Sequence, residues 1–231
     1  MPEVGGGKRP PVLGATAPAG VRWGDVLSGA IRGLVDLLAP RRCPGCDLEL
    51  APDEPALCGA CGPLLEPLPP SARAAYALGG PLADGIRRLK YAGRSDHAEP
   101  LGAIFAGACA DLVGTIDLVV PIPLHPRRLA ERGYNQSALL AVAVARALGA
   151  PLAIGALRRI RDTPAQAGLD AGARSRSIRG CFSASLRRPA RVLLVDDVRT
   201  TGATFAEASL ALRAGGALAV QARALAGADE T

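Results

Sequence analysis

Residues 192–204, VLLVDDVRTTGAT, constrain the fold of this chain more than any other segment. Four apolar residues typical of a buried strand lead to two carboxylates and a loop rich in Thr and Gly. A helix is then expected from about residue 203 to residue 213. Other runs rich in Val, Leu and Ile alternate with helical segments of about ten or more residues. This alternation predicts an α/β domain with a mostly parallel sheet and helices on both of its faces.

The other elements of this domain are expected in a regular order. Helices are predicted over residues 77–92 and 101–113. There follow a strand over 117–123, a helix over about 135–148, a short strand near 152, an Arg-rich hairpin or loop as far as 182, a strand over 191–197 and a last strand over 217–225. Residues 1–22 are interpreted as a flexible leader, 23–70 as a helix and a cysteine module closed by a stiff Pro-rich linker at 66–70, and 71–231 as the main domain.

The composition favours a globular protein with anionic ligands. A chain of 231 residues, 49% of them hydrophobic, is long enough to bury a core. It has no run of 18 uncharged apolar residues, so we expect no membrane span and a cytoplasmic location. The net charge of +6 favours phosphates, nucleic acid or an acidic membrane surface, although a solvated Arg-rich surface would give the same charge.

The loop after the strand at residues 191–197 combines groups suited to a phosphate and to a diol. The amino terminus of a following helix presents free N–H groups to an anion, and Gly202 lets the backbone approach it closely. Hydroxyl donors come from Thr200, Thr201 and Thr204. Asp196 and Asp197 would repel a phosphate, so their expected partners are hydroxyls or a metal, and a vicinal diol with Mg²⁺ meets both needs. The loop is neither a Walker A nor a GxGxxG motif.

This segment resembles the signature of the type I phosphoribosyltransferases, in which an apolar strand, paired acids, TTG and a helix follow one another. The resemblance implies that the ligand is 5-phosphoribosyl-1-pyrophosphate. Asp196 and Asp197 would hold the ribose 2′- and 3′-hydroxyls, and the following loop would bind the 5-phosphate. The alternative is a βα turn that carries these residues without binding anything. The residues assigned to the ligand here are Asp196, Asp197, Val198, Arg199, Thr200, Thr201, Gly202, Ala203 and Thr204.

Residues 121–136, PIPLHPRRLAERGYNQ, place several basic side chains between a predicted strand and a predicted helix. The forked guanidinium groups of arginine suit the charges of a pyrophosphate. His125, Arg127 and Arg128 are therefore predicted to bind substrate, together with Lys90 from the helix at 77–92. Arg132 is grouped with Asp196 and Asp197 as catalytic. A solvated basic face is the alternative for these arginines.

The same segment, with LKYAG at 89–93, RDTPAQAGL at 161–169 and a double CxxC, identifies the chain as a member of the competence protein F (ComF) family over about residues 34–225. The resemblance implies a role in natural transformation, with single-stranded DNA and competence proteins such as a DNA helicase as partners. It also implies a mobile arm over 158–182, in which Ser177 and Cys181 depart from the expected Asn and Ala. The arm is basic through Arg158, Arg159, Arg161, Arg174, Arg176 and Arg179.

Two CxxC pairs, Cys43 with Cys46 and Cys58 with Cys61, are separated by eleven residues, a spacing typical of a four-cysteine zinc site. Four thiolates leave no open position on the metal, so the zinc is expected to be structural, in a small zinc-ribbon-like module. Two disulfides are the competing interpretation. Cys109 and Cys181 have no second metal partner in the sequence.

Two functions remain open at this level. The first is a phosphoribosyltransferase with Mg²⁺, in which an acceptor displaces pyrophosphate from C1 of the ribose. The second is a non-catalytic protein that binds the ribosyl pyrophosphate or single-stranded DNA. Nothing in the sequence identifies an acceptor, and an aromatic content of 3% leaves few platforms on which a base could stack.

Overall fold

The computed structural model describes residues 40–162 and 177–227, and the strands and helices below are those of this part of the chain. The strands are β1 Ala74–Ala77, β2 Leu118–Pro121, β3 Leu157–Arg159, β4 Phe182–Ala184, β5 Ala190–Arg199 and β6 Ala217–Gly227. The helices are α1 Gly80–Tyr91, α2 Ala98–Gly107, α3 Pro126–Arg132, α4 Gln136–Leu148 and α5 Ala203–Ala214. Single 3₁₀ turns lie at Gly62–Leu64, Pro70–Ala72, Ser95–His97 and Ala110–Leu112.

Four parallel strands form the central sheet in the order β1-β6-β5-β2, and β3 and β4 form a separate antiparallel hairpin. Parallel strands with helical crossovers are buried on both faces, which is why β5 is a continuous apolar run and does not alternate with polar residues. The predicted α/β architecture with a mostly parallel sheet is therefore confirmed.

The two faces of the sheet carry two separate cores. Leu193 and Val195 of β5 point to the face covered by α1, α2 and α4, where they meet Leu89, Phe105 and other buried side chains. Val192 and Leu194 point to the opposite face, where α5 and the β3–β4 hairpin cover them. Because successive side chains of a strand point to opposite faces, one four-residue apolar run supplies the centre of both cores.

Several elements differ from the sequence-based expectation. The strand expected near residue 152 is reduced to a single bridge between Leu152 and Val119. The helix expected over 101–113 is α2 followed by a short turn. The strand β1 and the helix α3 were not expected. In α3, His125 caps the amino terminus, Pro126 begins the helix, and Gly133 ends it in the left-handed conformation. These start and stop signals for a helix are therefore present in the sequence, within a segment that was interpreted as a loop.

The Pro-rich segment at 66–70, expected as a stiff linker, lies against the sheet. Leu68 N donates to Ala75 O at 2.9 Å, and Ala77 N donates to Glu66 O at 2.8 Å, so the segment runs antiparallel to β1. The expected leader at 1–22, the expected helix after residue 23 and the centre of the arm, with Arg174 and Arg176, lie outside the described residues.

The cysteine segment packs directly on α1. Arg88 Nη1 donates to the carbonyl oxygens of Pro44 and Gly45, each at 2.7 Å. Gly85 faces Pro44 so closely that a Cβ atom at residue 85 would lie 2.9 Å from the Pro44 Cβ. Arg94, just after α1, pairs with Asp47 at 2.5 Å. The first cysteine knuckle is thus held against the middle of α1 by close backbone approach and by two arginines.

Replacement of Gly85 by Val tests this docking. Helix propensity alone favours Val over Gly, yet we expect Gly85→Val to lower the free energy of unfolding by about 2 kcal/mol because the new side chain has no space beside Pro44. Chemical denaturation measures the change. Arg87→Val on the exposed side of the same helix is the control and should change the stability by less than about 0.5 kcal/mol. A Gly85→Val protein as stable as the wild type would contradict the docking.

Candidate functional site

Two adjacent carboxylates lie inside the sheet near the carboxyl end of β5. Asp196 is paired in register with Ala224 of β6, and β5 continues as far as Arg199. Asp197 is 3% exposed. Burial, and then the negative charge of Asp197, raise the pKa of Asp196 well above its usual range. Two charges this close in a low dielectric repel strongly, so the site needs a cation or proton to be stable.

Lys90 supplies that cation from α1. Its Nζ lies 2.5 Å from Oδ2 of Asp197, and its side chain is 19% exposed. Burial opposes the charge of Lys90, but the carboxylate of Asp197 outweighs it and raises the pKa of the lysine. Burial likewise acts to raise the pKa of Asp197, and Lys90 outweighs it, so that pKa is lowered. The pair is therefore ionised, as expected for a buried ion pair with good geometry.

The start of α4 closes the acid pair from the other side. Ser137 Oγ donates to Asp196 Oδ1 at 2.6 Å. A hydrogen bond from the buried Gln136 side chain contributes to lowering the pKa of Asp197. Asn135 caps α4 through Ser137 N and donates its Nδ2 to Ile122 O at 2.9 Å. The end of β2 and the start of α4 are therefore fixed together beside the acids.

Arg132 reaches the acid pair only through Gln136. Its Nη1 donates to Gln136 Oε1 at 2.5 Å, and its guanidinium lies 5.3 Å from the centroid of the Tyr91 ring. Lys90 and Arg132 were predicted for this site from the sequence, whereas Tyr91, Gln136 and Ser137 were missed. The signal for the last two was their position directly after Asn135, a typical N-cap residue, in the first turn of a predicted helix.

The loop from β5 to α5 forms a small pocket. Gly202 has a φ of 73° and occupies the N-cap position of α5, so no side chain caps the helix from there. A Cβ atom at residue 202 would lie 3.3 Å from Arg199 Nε, so the arginine side chain runs alongside the loop. The pocket is lined by Asp196, Val198, Arg199, Thr200, Thr201, Gly202, Ala203, Thr204 and Phe205. An uncapped helix amino terminus beside hydroxyl groups is a suitable anion site.

His125 and Arg127 lie at the base of the arm. His125 Nδ1 accepts a hydrogen bond from Arg127 N and lies 3.8 Å from Asp162 Oδ1. Arg127 pairs with Glu131 at 3.0 Å and with Asp162 at 3.6 Å. These contacts tie the start of α3 to the first residues of the arm. The assignment of both residues, and of Arg128, to ligand binding stays a prediction.

Arg159 in β3 brings an arm residue close to the acid pair. Burial lowers the pKa of Arg159, the charge of Arg128 lowers it further, and the carboxylates of Asp162 and Asp196 oppose both effects. Its guanidinium lies 5.7 Å from the centroid of the Phe182 ring on the neighbouring strand. The sequence analysis treated Arg159 as part of a basic surface, whereas the hairpin turns it inward.

The four cysteines of the double CxxC come together as predicted. Their sulfur atoms all lie within 4.8 Å of one another, and the Sγ atoms of Cys46 and Cys58 are 3.6 Å apart. Zn–S bonds of about 2.3 Å in a tetrahedron put sulfurs about 3.8 Å apart, so the arrangement fits zinc. Backbone N–H groups of Cys61 and Ala60 help to lower the pKa of Cys58 to about 7, whereas burial and the neighbouring sulfur atoms raise the pKa of Cys61, so Cys58 is the thiol that ionises more readily of the two. All six cysteines are free thiols, unlike in the disulfide interpretation.

Fold and site together define a parallel α/β protein with an acid pair at the carboxyl end of a central strand and a four-cysteine module in front of it. The chain is 33% identical to DNA utilization protein YhgH of Salmonella typhimurium, over 86% of this chain and 88% of that protein. It is 36% identical to the Escherichia coli protein of the same name over 78% and 81%, and 34% identical to Haemophilus influenzae competence protein F over 63% and 68%. The chain belongs to this family, the ComF family.

Solved structures that match include an amidotransferase and a synthase. Glutamine phosphoribosylpyrophosphate amidotransferase from B. subtilis is 21% identical, with a TM-score of 0.36 over 59% of this chain and 30% of that chain. Leishmania donovani UMP synthase is 17% identical, with a TM-score of 0.33 over 55% and 26%. No family model matches the sequence. Within residues 40–162 and 177–227, no helix has the length and apolar character needed to cross a bilayer.

Loss of one cysteine of the cluster should abolish metal binding and destabilise the protein. We expect one zinc per wild-type chain and much less than one for Cys61→Ser, with a Tm lower by at least about 5 °C, because the cysteine segment has only a small core of its own. Elemental analysis and thermal unfolding measure both quantities. Cys109→Ala, which removes a buried thiol outside the cluster, should keep the full zinc content. Full zinc content in Cys61→Ser would refute the site.

Removal of Lys90 should leave a buried negative charge without its partner. We expect Lys90→Met to lower the free energy of unfolding by about 3 kcal/mol at pH 7, and Asp197→Asn in the same chain to restore most of it. Denaturant titrations of the wild type, both single variants and the double variant give the coupling energy. Independent, additive effects of the two substitutions would show that the ion pair does not carry this stability.

Proposed function

We propose that this protein binds 5-phosphoribosyl-1-pyrophosphate with Mg²⁺ and transfers its phosphoribosyl group to an acceptor in a DNA-utilization process. The observation that carries the proposal is one pocket lined both by Asp196, the first residue of the acid pair, and by the amino terminus of α5, because a phosphorylated ribose needs a hydroxyl acceptor and an anion site together. The names of the relatives, which refer to DNA utilization and competence, support the cellular context.

The loop at 199–204 accounts for the 5-phosphate. The 5-phosphate would accept hydrogen bonds from the first-turn N–H groups of α5 and from the hydroxyls of Thr200, Thr201 and Thr204. Gly202 in the left-handed conformation lets the backbone curl around the phosphate without a Cβ atom in the way. A side chain at residue 202 would be strained and would press on Arg199.

The acid pair accounts for the ribose. Carboxylates accept hydrogen bonds from vicinal hydroxyls, and Asp196 and Asp197 lie at the end of the loop remote from α5. Mg²⁺, when bound with the ligand, would neutralise phosphate charge and favour the departure of pyrophosphate. The carboxylates of Asp196 and Asp197 would hold the ion beside the ligand.

Lys90 and Arg132 account for the pyrophosphate side of the proposed reaction. Lys90 forms an ion pair with Asp197. With ligand bound, the ammonium group of Lys90 would also donate a hydrogen bond to a pyrophosphate oxygen, and Asp197 would accept one from a ribose hydroxyl. Arg132 is held in place by Gln136 and the Tyr91 ring. In the proposed transfer, the acceptor forms a bond to C1 of the ribose and the C1–O bond to pyrophosphate breaks. Fixed cations near the departing oxygen stabilise its charge.

The test of ligand binding is isothermal titration with phosphoribosyl pyrophosphate and Mg²⁺. We expect saturable binding to the zinc-loaded wild type and at least about a hundredfold weaker binding to Asp196→Asn, because the amide cannot supply the negative charge that Asp196 acquires when it ionises beside the bound ribose and Mg²⁺. Ribose 5-phosphate is the control ligand and should bind more weakly, since it lacks the pyrophosphate. The absence of any heat of binding with properly folded, zinc-loaded wild type would refute the proposal.

The same variant has an opposite effect on stability. Because the pKa of Asp196 is raised in the folded protein, the folded protein retains a proton that the unfolded chain releases above its own pKa. The free energy of unfolding therefore falls as the pH rises above the unfolded-state pKa. We expect Asp196→Asn to raise the free energy of unfolding by about 1 kcal/mol at pH 8. The gain should vanish below the unfolded-state pKa of about 4. A variant less stable than wild type at pH 8 would contradict the assigned pKa direction.

Turnover is distinguished from binding by pyrophosphate release with a panel of bases and amines, using Asp196→Asn as the inactive control. The alternative function is a non-catalytic protein that binds the ribosyl pyrophosphate or single-stranded DNA. The exposed arginines at the two ends of the arm, Arg158, Arg161 and Arg179, favour it. DNA binding that survives Asp196→Asn, weakens with salt and disappears when these arginines become Ala would support it.

A further inference from the structure

Only the last part of β6 has a strand on its outer side. β5 pairs with β6 along its whole length, whereas β1 pairs with β6 only from Ala224 to Gly227. Just before β1, the turn Pro70–Ala72 and Arg73, with a φ of 53°, lead the chain away from the sheet. Among the described residues, nothing therefore pairs with the outer edge of β6 over residues 217–222.

The backbone of this edge is oriented for pairing. Ala224 N donates to Arg73 O, which shows that its backbone groups point to the outer side. Because alternate residues of a strand point their N–H and C=O groups to the same side, those of Val220 and Ala222 also face outward. Edge strands in natural proteins are usually protected by charges, proline or bulges. The sequence ALAVQA at 217–222 has no proline and no charged residue. The register with β5 shifts at Leu218, because Ala190 pairs with Ala217 and Arg191 with Ala219, so the regular part of this edge begins at Ala219.

A groove follows the same edge. It has a volume of about 590 Å³ and lies between the turn at residues 110–112 on one face of the sheet and α5 on the other. Leu210 of α5 is 61% exposed, and Leu218 of β6 is 70% exposed. The groove is lined by residues of both faces, including Leu112, Phe205, Leu210, Arg213, Val220 and Ala222. It lies where the next strand of the sheet would run.

The charges around the groove select the occupant. Arg73 and Arg213 line it and are exposed, and neither has an ion-pair partner among the described residues. Arg223 also lines it, but it is paired with Asp111 at 2.6 Å. A second copy of the chain would bring two sets of these arginines together. An extended segment with acidic side chains would place opposite charges beside Arg73 and Arg213.

We propose that the outer edge of β6 binds an extended, acidic peptide segment of a partner protein, which adds a strand to the sheet. Main-chain hydrogen bonds to Val220 and Ala222 supply affinity, and the two arginines supply preference for acidic side chains. This surface lies at the amino half of β6, whereas the acid pair is level with Ala224 near its carboxyl end. The inference does not depend on the proposed phosphoribosyl chemistry.

The test uses labelled peptides of about eight residues, a length typical of strands, that alternate Val with Glu or Val with Lys. Fluorescence anisotropy with the full chain should give at least about tenfold tighter binding of the Glu peptide. Val220→Pro removes one outward N–H without touching the pairing with β5, and it should weaken binding by about tenfold. Exchange of Arg73 and Arg213 for Glu should reverse the preference. Equal binding of both peptides, or no effect of Val220→Pro in protein with unchanged Tm and zinc content, overturns the proposal.

Hydrogen exchange of the full chain separates the other occupants. Without peptide, the amides of Val220 and Ala222 should exchange much faster than those of Ala219 and Gln221, which face β5, and the Glu peptide should protect the amides of Val220 and Ala222. Protection without peptide at every protein concentration would mean that another part of the chain fills the edge. Protection that rises with protein concentration would mean a second copy. Either result overturns the proposal.

Discussion

Two carboxylates buried side by side, Asp196 and Asp197, are the constraint on which the rest of the site depends. Taking an ionised carboxylate out of water costs several kcal/mol, and a second negative charge beside it would add repulsion. The structure offsets it with the ammonium group of Lys90 on one acid and the hydroxyl of Ser137 on the other. Three elements distant in sequence, α1, α4 and β5, must therefore meet at one point, and the packing of the helices on the sheet brings them there.

The helix α1 links this point to the cysteine module. Its middle turns hold the first knuckle through Gly85 and Arg88, and Lys90 follows within less than a turn. A metal in the cluster would have no open coordination position and no chemistry of its own. It would act on the site only through structure, because the cysteine module holds α1 in position and α1 carries Lys90. This arrangement explains why a structural module lies directly in front of the α/β domain in the chain.

The two ends of β6 differ in how their edges are paired. At its carboxyl end, pairing with β1 and β5 is complete, and the backbone supports the acid pair without exposing hydrogen-bonding groups. At its amino end no other described residue pairs with the outer edge, which lies beside exposed leucines and arginines. The two proposals use these two ends separately: the anionic ligand lies beside the acid pair, and the partner strand lies on the outer edge. Neither proposal requires the other site to be filled.

The sequence by itself determined the features that depend on residues close together in the chain. The apolar run before Asp196 and Asp197 specifies a buried strand, and the glycine in the following loop allows the turn into α5. The spacing of the cysteine pairs specifies their cluster, and the family was recognisable from its motifs. Only the tertiary structure decided that Lys90 neutralises Asp197, that Ser137 and Gln136 complete the site, and that Arg159 turns inward. It also decided that β1 is too short to cover β6. These outcomes depend on how distant elements pack, and local periodicity and spacing contain no information about which buried charge meets which partner.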